Sequence, residues 1–409
     1  MAEKSCTYSL PIGPIHPALH EPFLFQFQID GERIKKVDLI GGKVHRGIEW
    51  MGMRRNPIQV IYVAERICGI CSCSHAFTYC RAVEDAADID VPERAQYIRA
   101  IIAELERMHS HLLWAGVAAH EIGFDSLLYY TWRAREGVMD LLELISGNRV
   151  NYGMLMIGGV RRDLSDETLS KIKDAMDRFD PVADKLIYLF LEDKTVKLRT
   201  QDVGILSFND AIKLCALGPT ARASGVRKDV RQDQPYCAYA DLEIRAITPE
   251  NFDKETVGDV YDKTLVRLLE VKQSIGIIKQ CVDSLPSGDL LAEPKLVKIL
   301  ATLKKVNNEG LGRVEAPRGE LVHWVRLQES TNLRAWKARS PTYNNVLPWQ
   351  PMLIGEQIAD IPIVAASTDP CFSCLDRAVV TKNGKSEIIT GEELHRLSLE
   401  KTRRLKKWG

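Results

Sequence analysis

Two Cys-x-x-Cys pairs are the residues of this sequence best suited to chemistry. The first is Cys68 with Cys71 and the second is Cys371 with Cys374, about 300 residues further along the chain. Together they supply four soft thiolate ligands, the donor set of zinc, iron–sulfur and nickel–iron sites. Structural zinc ribbons space their pairs by ~15–20 residues. The wide separation here therefore favours a functional metal centre over a structural zinc ion.

The remaining cysteines show no paired spacing. Ten cysteines in 409 residues are too few for a disulfide framework. We expect the other six to be small buried hydrophobic side chains. These are Cys6, Cys73, Cys80, Cys215, Cys237 and Cys281.

The charge balance and the apolar pattern exclude two classes of protein. The chain carries 55 basic and 55 acidic side chains, and phosphate binding needs a basic excess, so we expect no nucleic-acid partner. No apolar run reaches the ~20 residues of a membrane-spanning helix. The first residues lack the apolar stretch of a secretory signal. We therefore expect a soluble intracellular chain.

Apolar periodicity predicts a mainly α fold with a small N-terminal β portion, an α+β class built around a central bundle of long helices. Residues 23–49 alternate apolar and polar positions around Asp30 and Gly31, which predicts a β-hairpin. We expect the last of the long helices to break near Gly276. Helical periodicity runs through 92–114, 126–146, 165–191 and 250–284.

The composition changes after Cys374. Residues 378–409 predict a second hairpin, around Asn383 and Gly384, followed by a basic helix from about Gly391. Three interpretations of this tail stay open: a solvated helix, a segment that docks a partner, and a removable extension.

Longer motifs surround the cysteine pairs and recur along the chain. Residues 65–75 read ERICGICSCSH and residues 367–377 read STDPCFSCLDR. These two motifs resemble the signatures of the large subunit of nickel–iron hydrogenases, and the resemblance covers residues 8–377. Four further matching motifs are GPIHPALHEP at 13–22, RGIE at 46–49, GPTARASGVRKD at 218–229 and EAPRGE at 315–320.

Three of these motifs, at 13–22, 218–229 and 315–320, also occur in the 49-kDa-type subunit of respiratory complex I, which lacks the four cysteines. A chain with both sets is similar to the catalytic subunit of membrane-bound, energy-converting hydrogenases of the formate hydrogenlyase, ferredoxin-linked and carbon-monoxide-linked types. The resemblance implies reversible hydrogen formation from protons. Two alternatives are a complex I-like subunit acting on quinone or sulfur compounds, and a scaffold or electron-transfer subunit without metal chemistry.

The resemblance implies a nickel–iron centre held by the four cysteines. All four thiolates would bind nickel, Cys71 and Cys374 would also bridge to iron, and Cys68 and Cys371 would be terminal nickel ligands. Carbon monoxide and cyanide would complete the coordination of iron. A metal-bound thiolate stays deprotonated yet basic, and Cys371 is the family's usual candidate for the base that takes a proton when hydrogen is split.

Five further residues match supporting positions of that family. Glu21 matches a carboxylate that passes the proton onward. His75 matches a hydrogen-bond donor to a bridging thiolate, and Arg318 matches a guanidinium at the open edge of the metals. Ser367 and Asp369 are candidate partners of cyanide and of Arg318. Three histidines on the helix after the first pair are interpreted as structural: His109, His111 and His120.

A second metal site is a weaker implication. Glu49 matches a carboxylate that binds a further divalent ion, magnesium or iron, in many relatives. In those relatives the second signature ends in His, whereas this sequence has Arg377, which cannot ligate a cation. The sequence therefore weakens the case for this ion.

The resemblance also divides the chain. It implies a catalytic domain over 1–377, with a β-rich part at 1–62 and a helical core with the metal site at 63–377. In many relatives an endopeptidase cuts after the His or Arg that ends the second signature, and Arg377 occupies that position. Residues 378–409 are therefore a candidate pro-segment.

Electrons must reach such a centre through another subunit, because the other cysteines offer no ligand set for an iron–sulfur cluster in this chain. The resemblance implies three kinds of partner: an iron–sulfur small subunit, a complex I-like subunit of 30-kDa type, and integral membrane ion-pumping subunits. Ferredoxin or formate dehydrogenase would donate the electrons. The chain would be cytoplasmic, peripheral on the inner face of the cell membrane.

Overall fold

The computed structural model describes residues 7–19, 21–375, 380–382 and 385–406. Its strands, in chain order, are β1 (Thr7–Ile12), β2 (Leu24–Asp30), β3 (Arg33–Ile40), β4 (Leu155–Met156), β5 (Gly159–Val160), β6 (Glu309–Ala316), β7 (Gly319–Arg326), β8 (Ala335–Arg339), β9 (Val380–Lys382) and β10 (Lys385–Glu387).

The helices, in chain order, are α1 (Ile48–Gly52), α2 (Pro57–Glu65), α3 (Ser72–Ala87), α4 (Glu93–Glu121), α5 (Asp125–Ser146), α6 (Asp166–Glu192), α7 (Lys194–Thr200), α8 (Phe208–Lys213), α9 (Gly218–Arg222), α10 (Val230–Asp233), α11 (Val260–Asp283), α12 (Leu296–Leu303), α13 (Thr342–Asn345), α14 (Trp349–Leu353), α15 (Ile361–Ser367) and α16 (Gly391–Leu405). The mainly α fold class with small sheets is confirmed.

The N-terminal sheet is antiparallel, in the order β1-β2-β3. Phe25, Phe27 and Ile29 are fully buried on its inner face, while the residues between them are more exposed, as the period of a strand requires. Gly31 takes a positive φ of 61° in the turn between β2 and β3. The predicted hairpin is therefore confirmed, and β1 adds a strand that the sequence did not predict.

Long helices form the centre of the molecule: α4 packs against α5 and α11, and α11 packs against α6. α11 begins at Val260 and runs unbroken through Gly276, so the expected start near residue 250 and the expected break are wrong. Ile275, Ile277 and Ile278 beside the glycine are buried. Their packing outweighs the ~1 kcal/mol that a glycine costs inside a helix.

A second antiparallel sheet, in the order β6-β7-β8, lies within the part of the chain expected to be helical. α3 lies directly on it at two glycines. A Cβ at Gly310 would lie 2.2 Å from the Ala82 carbonyl oxygen, and one at Gly312 would lie 1.9 Å from that of Thr78. Because glycine weakens a strand pattern, β6 was not predicted from the sequence.

The unpaired cysteines follow the prediction in part. Cys215 is exposed, so its predicted burial is wrong. It has a positive φ of 53° in the turn after α8, at the surface. Cys237 is half-buried, and Cys6 lies outside the described residues. Three are buried as expected: Cys73, Cys80 and Cys281.

The tail forms the expected elements. β9 pairs antiparallel with β10, and α16 follows; the turn at 383–384 lies outside the described residues. Glu392 of α16 pairs with Arg54, and the ring of His395 lies 5.2 Å from that of Trp50. The tail therefore contacts α1 and the residues that follow it. Across the described ranges we find no helix with the length and apolar character needed to cross a bilayer.

Candidate metal centre

The two cysteine pairs meet in the interior. Cys68 and Cys71 lie in the turn before α3, and Cys371 and Cys374 lie at a short 3₁₀ turn after α15. The Cys371 sulfur lies 3.2 Å from that of Cys68 and 3.0 Å from that of Cys374, and the sulfurs of Cys71 and Cys374 are 3.9 Å apart. All four are buried. The structure thus brings together the four residues that the sequence singled out.

Arg46 ties the two turns to each other. Its guanidinium donates hydrogen bonds to the carbonyl oxygens of Arg66 and Ile67, at 3.0 and 2.6 Å, just before the first pair. It also donates to the carbonyl oxygen of Ser373, at 3.0 Å, inside the second pair. Arg46 belongs to the RGIE motif, but the sequence suggested no role for this arginine. Its position explains how residues about 300 positions apart are held together.

The sulfurs do not share one protonation state in the metal-free chain. Hydrogen bonds from Cys371, and then from Cys374 and Cys71, lower the pKa of Cys68 well below its usual value. The hydrogen bonds to Cys371 raise the pKa of Cys71 and of Cys374 well above theirs. One thiolate is therefore stabilised by its thiol neighbours. Holding all four sulfurs deprotonated requires the charge of a bound metal ion.

Arg318 and Asp369 form a buried pair beside the cluster. Arg318 donates from Nε to the Asp369 carbonyl oxygen at 2.7 Å, and from Nη2 to Oδ1 at 2.8 Å. Nη1 of Arg318 and Oδ2 of Asp369 are also buried, and within the described part of the chain neither has a hydrogen-bond partner. A buried donor without a partner is costly, so this nitrogen is poised for a polar ligand.

An apolar cavity of about 280 Å³ reaches the cluster at Cys371. Arg318 and Glu21 also line it. Its other walls are Ile70, Leu113, Trp114, Val117, Trp132, Ala366, Asp369 and Pro370. The cavity is suited to a small, weakly polar molecule.

Glu21 is held next to the second cysteine pair. Its carboxylate accepts a hydrogen bond from the Ser373 backbone N–H at 2.9 Å and another from the Ser373 hydroxyl. Because Glu21 and Cys371 line the same cavity, the structure brings the predicted carboxylate to the predicted base. His20 lies outside the described residues.

His75 contacts the cluster from the other side. Its Nε2 lies 3.4 Å from the Cys374 sulfur, and its Nδ1 lies 3.1 Å from Nε2 of His323. The Trp336 indole nitrogen lies 3.2 Å from the His323 Nδ1. The sequence reasoning missed His323 and Trp336, because neither belongs to a motif.

Ser367 is the predicted residue that the structure does not direct at the cluster. Its hydroxyl donates to the Val364 carbonyl oxygen, 2.7 Å away, within α15. A hydroxyl has a single proton to donate. Its role as a donor to cyanide stays a prediction, one that requires the hydroxyl to rotate away from Val364.

Glu49 is occupied by the protein itself. The Lys337 ammonium lies 2.8 Å from one carboxylate oxygen, and the Ala338 backbone N–H donates to the other at 3.0 Å. The positive charge of Lys337 thus lies where a divalent ion would have to bind. These residues do not fit a second metal ion, in line with the doubt raised by Arg377, which lies outside the described residues.

The three histidines of α4 have protein partners. His111 shares a hydrogen bond with Glu270 at 2.9 Å, and His120 with Asp125 at 2.7 Å. His109 accepts a hydrogen bond from the Arg135 Nε at 2.9 Å, and burial together with the charge of Arg135 lowers its pKa to about 3. These contacts are consistent with the structural role expected for them.

His111 belongs to a buried ion network that links α4, α9, α10, α11 and β6. Its ion pairs include Arg222 with Glu270 at 2.7 Å and Arg231 with Glu104 at 3.0 Å. Burial, with Asp229 nearby, raises the pKa of Glu315 to about 6. The network consists of Glu104, Arg107, His111, Arg222, Asp229, Arg231, Glu270 and Glu315.

Comparison with known proteins agrees with this arrangement. Residues 121–377 match the family model described as "Respiratory-chain NADH dehydrogenase, 49 Kd subunit", and residues 46–115 match the model "Nickel-dependent hydrogenase". The chain belongs to the family that comprises the 49-kDa subunit of complex I and the large subunit of nickel–iron hydrogenases. This family membership makes it an oxidoreductase subunit, and the buried cysteines indicate a metal site.

Three similar proteins illustrate the breadth of this family. The chain is 47% identical to the membrane-bound hydrogenase subunit alpha of Pyrococcus furiosus, over 97% of this chain and 93% of that protein. It is 36% identical to formate hydrogenlyase subunit 5 of Escherichia coli, over 96% and 67%. Among solved structures, a chain of the membrane-bound sulfane sulfur reductase, an archaeal respiratory membrane complex, matches with a TM-score of 0.84 and 29% identity, over 92% of this chain and all of that one.

Proposed function

We propose that this chain is the catalytic subunit of an energy-converting nickel–iron hydrogenase, which forms and oxidises hydrogen reversibly. One observation carries the proposal: two distant cysteine pairs converge into a buried group of four sulfurs. Beside them lies a guanidinium nitrogen that has no hydrogen-bond partner in the part of the chain that the structure describes. Neither a structural zinc ribbon nor a scaffold subunit needs this combination. Soft sulfur donors of this kind select nickel and iron over hard cations.

Four residues would hold the nickel–iron centre. These residues would be Cys68, Cys71, Cys371 and Cys374, whose sulfurs lie close together in the interior. When bound, the centre supplies the electron-transfer and hydrogen-splitting chemistry that amino-acid side chains lack. Arg318 supports this assignment, because its free Nη1 can donate to carbon monoxide or cyanide on the iron, while Asp369 fixes the plane of its guanidinium.

The chain's own groups would move the proton. The Cys371 sulfur is the proposed base, because it lines the cavity through which a small molecule reaches the cluster. Glu21 lines the same cavity and is oriented by two hydrogen bonds from Ser373. A proton on Cys371 would therefore pass to Glu21 and on toward the surface. The apolar walls of the cavity suit dihydrogen, which has no group to hydrogen-bond.

The partners follow from the relatives. Proteins named as membrane-bound hydrogenase and formate hydrogenlyase subunits are 47% and 36% identical to this chain. We therefore place the chain in a similar complex, on the inner face of the cell membrane. An iron–sulfur small subunit, a 30-kDa-type subunit and ion-pumping membrane subunits would surround it. Ferredoxin or formate dehydrogenase would supply the electrons.

Metal analysis of the purified complex tests the proposal. We expect one nickel per chain and infrared bands of carbon monoxide and cyanide bound to iron. Absence of nickel from a complex that reduces sulfane sulfur or quinone would overturn the proposal. It would favour the second candidate, an oxidoreductase similar to the sulfane sulfur reductase, which the TM-score of 0.84 supports.

The fate of the tail is a separate proposal. We assign residues 1–377 to the catalytic domain and propose that residues 378–409 are removed after nickel is inserted, by cleavage after Arg377. The contact of α16 with Trp50 and Arg54 shows that the tail can dock on the catalytic domain. The intact mass of nickel-loaded protein tests this proposal. A mass ending at Arg377 is expected, and full mass in an active enzyme would contradict it.

A further inference from the structure

Three buried rings connect the interior of the second sheet to the cluster. Trp336 of β8 lies next to His323 of β7, His323 lies next to His75 of α3, and His75 lies next to the Cys374 sulfur, at 3.2, 3.1 and 3.4 Å. Each of the three side chains is at most 1% exposed. The contacts form one line from an indole to a sulfur, and we call it the indole–histidine chain.

The direction of this line follows from its first member. An indole N–H can only donate, so Nδ1 of His323 must accept and carries no proton. The ring proton of His323 is therefore on Nε2, from which it is donated to Nδ1 of His75. That nitrogen is then an acceptor too, and the proton of His75 must be on Nε2, facing Cys374. Each tautomer thus fixes the next.

Burial supports the neutral state of the His323 ring. It lowers the pKa of His323 well below its usual value. A doubly protonated His323 would also point an N–H at the indole N–H. His323 is therefore neutral near pH 7. Because Nδ1 of His75 accepts the proton that His323 donates, His75 also carries a single ring proton, on Nε2.

Packing holds the indole in place. A Cβ at Gly52 would lie 2.3 Å from the Trp336 ring, so α1 leaves room for it only because this residue is glycine. The ring of Tyr79 packs on Trp336 edge-to-face, at 5.6 Å. His323 and Trp336 are diagonal neighbours on one face of β7 and β8. The indole therefore has little freedom to turn its N–H elsewhere.

We propose that Trp336 and His323 are positioning residues that make His75 a permanent hydrogen-bond donor to Cys374, and thereby direct the proton of the reaction to Cys371 instead. A hydrogen bond donated to a thiolate stabilises its negative charge and makes it less basic. Cys371 faces the cavity with Glu21. The effect on proton placement rests on the proposed function, whereas the tautomers do not.

The tautomers are measurable without any metal. In the full-length metal-free chain with ¹⁵N-labelled histidine, NMR distinguishes the protonated from the unprotonated ring nitrogen. We expect His75 and His323 each to carry one proton, on Nε2. A proton on Nδ1 of either ring would overturn the inference. A chain that binds no nickel would refute the proposed function and leave this result standing.

Variants of Trp336 and His323 test which residue sets the tautomer of His75. In Trp336→Phe we expect loss of the single tautomer of His75, because His323 is then free to adopt either form. An unchanged tautomer would overturn the role of Trp336. Tyr79→Phe is the matched control: it removes the buried hydrogen bond to the Pro57 carbonyl oxygen and keeps the ring against Trp336. We expect it to leave the tautomer of His75 unchanged.

His323→Gln and His323→Leu keep the test decisive if Trp336→Phe does not fold. A glutamine amide can accept from Trp336 and donate to His75, as His323 does, whereas leucine can do neither. We expect glutamine to preserve the tautomer of His75 and leucine to lose it. The same result for both variants would contradict the inference.

A spectroscopic measurement on the nickel-loaded complex completes the test. Loss of the hydrogen bond to Cys374 leaves more electron density on the metals, so we expect the carbon monoxide and cyanide bands to shift to lower frequency in His323→Leu. In His323→Gln and Tyr79→Phe they should stay in place, at the same nickel content. If the bands do not shift in His323→Leu, the indole–histidine chain does not act on the metal centre, and the proposal is wrong.

Discussion

The buried ion network and the candidate metal centre both lie in the interior, but they differ in whether their buried polar groups are paired. In the network, Arg222 meets Glu270 and Glu315 at 2.7 and 2.8 Å, and the carboxylate of Glu104 accepts from Arg231. At the centre, Arg318 keeps a buried nitrogen that has no hydrogen-bond partner among the described residues. Paired charges hold helices and strands together, whereas a donor without a partner is available to bind a polar ligand.

The two regions are joined by one short segment. Glu315 pairs with Arg222 at the end of β6, and Arg318 follows three residues later at the turn into β7. Gly319, with φ of 121°, lies against Gly218 at a distance that leaves no room for a side chain. The network thus fixes the turn that presents Arg318. Variants should therefore separate the two regions: one set should damage the fold, the other the chemistry.

The largest effect is expected at the centre itself. Cys371→Ser should lose all hydrogen turnover, because one nickel ligand and the proposed base disappear together, while the thermal unfolding temperature stays close to that of the parent. Hydrogen production by the purified complex measures the first, and calorimetry the second. Cys281→Ser, which alters a buried cysteine of α11, is the matched control and should stay active. Turnover by Cys371→Ser would refute the assignment.

The next largest effect is expected in the network. Glu270→Gln removes the charge that pairs with Arg222 and should lower the free energy of unfolding by about 3–5 kcal/mol, the cost of leaving a buried charge unpaired. Denaturant titration measures it. Glu167→Gln, in the exposed pair with Lys171, is the control and should change little. A loss below about 1 kcal/mol for Glu270→Gln would mean that the network does not stabilise the fold more than an exposed ion pair does.

Glu21→Gln should be smaller in effect and confined to the chemistry. Glutamine keeps the size and an acceptor for Ser373 but cannot carry a proton, so hydrogen–deuterium exchange should slow by ~10²-fold, the scale of one general acid–base step. Nickel content and stability should not change. Glu143→Gln, at the exposed face of α5, serves as the control. Exchange at the parental rate would place the start of the proton path elsewhere.

The smallest effect concerns Lys263, a buried ammonium that donates to the carbonyl oxygens of Gly204 and Gly258. Burial lowers its pKa to about 7, against opposing effects of Asp259 and Asp262. Above pH 7 the folded chain has released a proton that the unfolded chain keeps until ~10.4. The contribution of Lys263 to the free energy of unfolding should therefore rise with pH, by about 1 kcal/mol between pH 7 and 8.

Lys263→Met tests that sign. In denaturant titrations, the free energy of unfolding of the parent relative to the variant should be about 1 kcal/mol higher at pH 8 than at pH 7, whatever the variant's absolute stability. Lys279→Met, in the exposed pair with Asp177, should keep the parental slope. A difference between parent and variant that is the same at both pH values would mean that Lys263 stays charged in the folded chain.

The sequence predicts the parts of this molecule whose signal is local. The cysteine pairs show themselves by a three-residue spacing, and α4 by apolar residues on every turn. β6 was not predicted because Gly310 and Gly312 weaken its strand pattern. Both positions must be glycine, since a Cβ at either one would collide with the backbone of α3. That reason is visible only once the two elements are packed.

The same limit applies to the surroundings of the site. His323 lies 248 residues from His75, and Lys337 lies 288 residues from Glu49. Pairs so distant carry no spacing that a single sequence reveals. Arg318 and Asp369 could be predicted because each lies inside one of the quoted motifs. The groups that orient those residues could be identified only from the fold.

Arg46 has a consequence for how the protein is made. It hydrogen-bonds to two turns that lie about 300 residues apart in the chain, so the ribosome synthesises the second turn long after the first. At ~5–20 residues per second, the first cysteine pair exists for on the order of 15–60 s before the second is synthesised. Two neighbouring thiols attract zinc and copper in that interval and can be oxidised. A metal ion held by all four cysteines can therefore bind only after the second pair has been synthesised, and Cys68 and Cys71 have to stay reduced and metal-free until then.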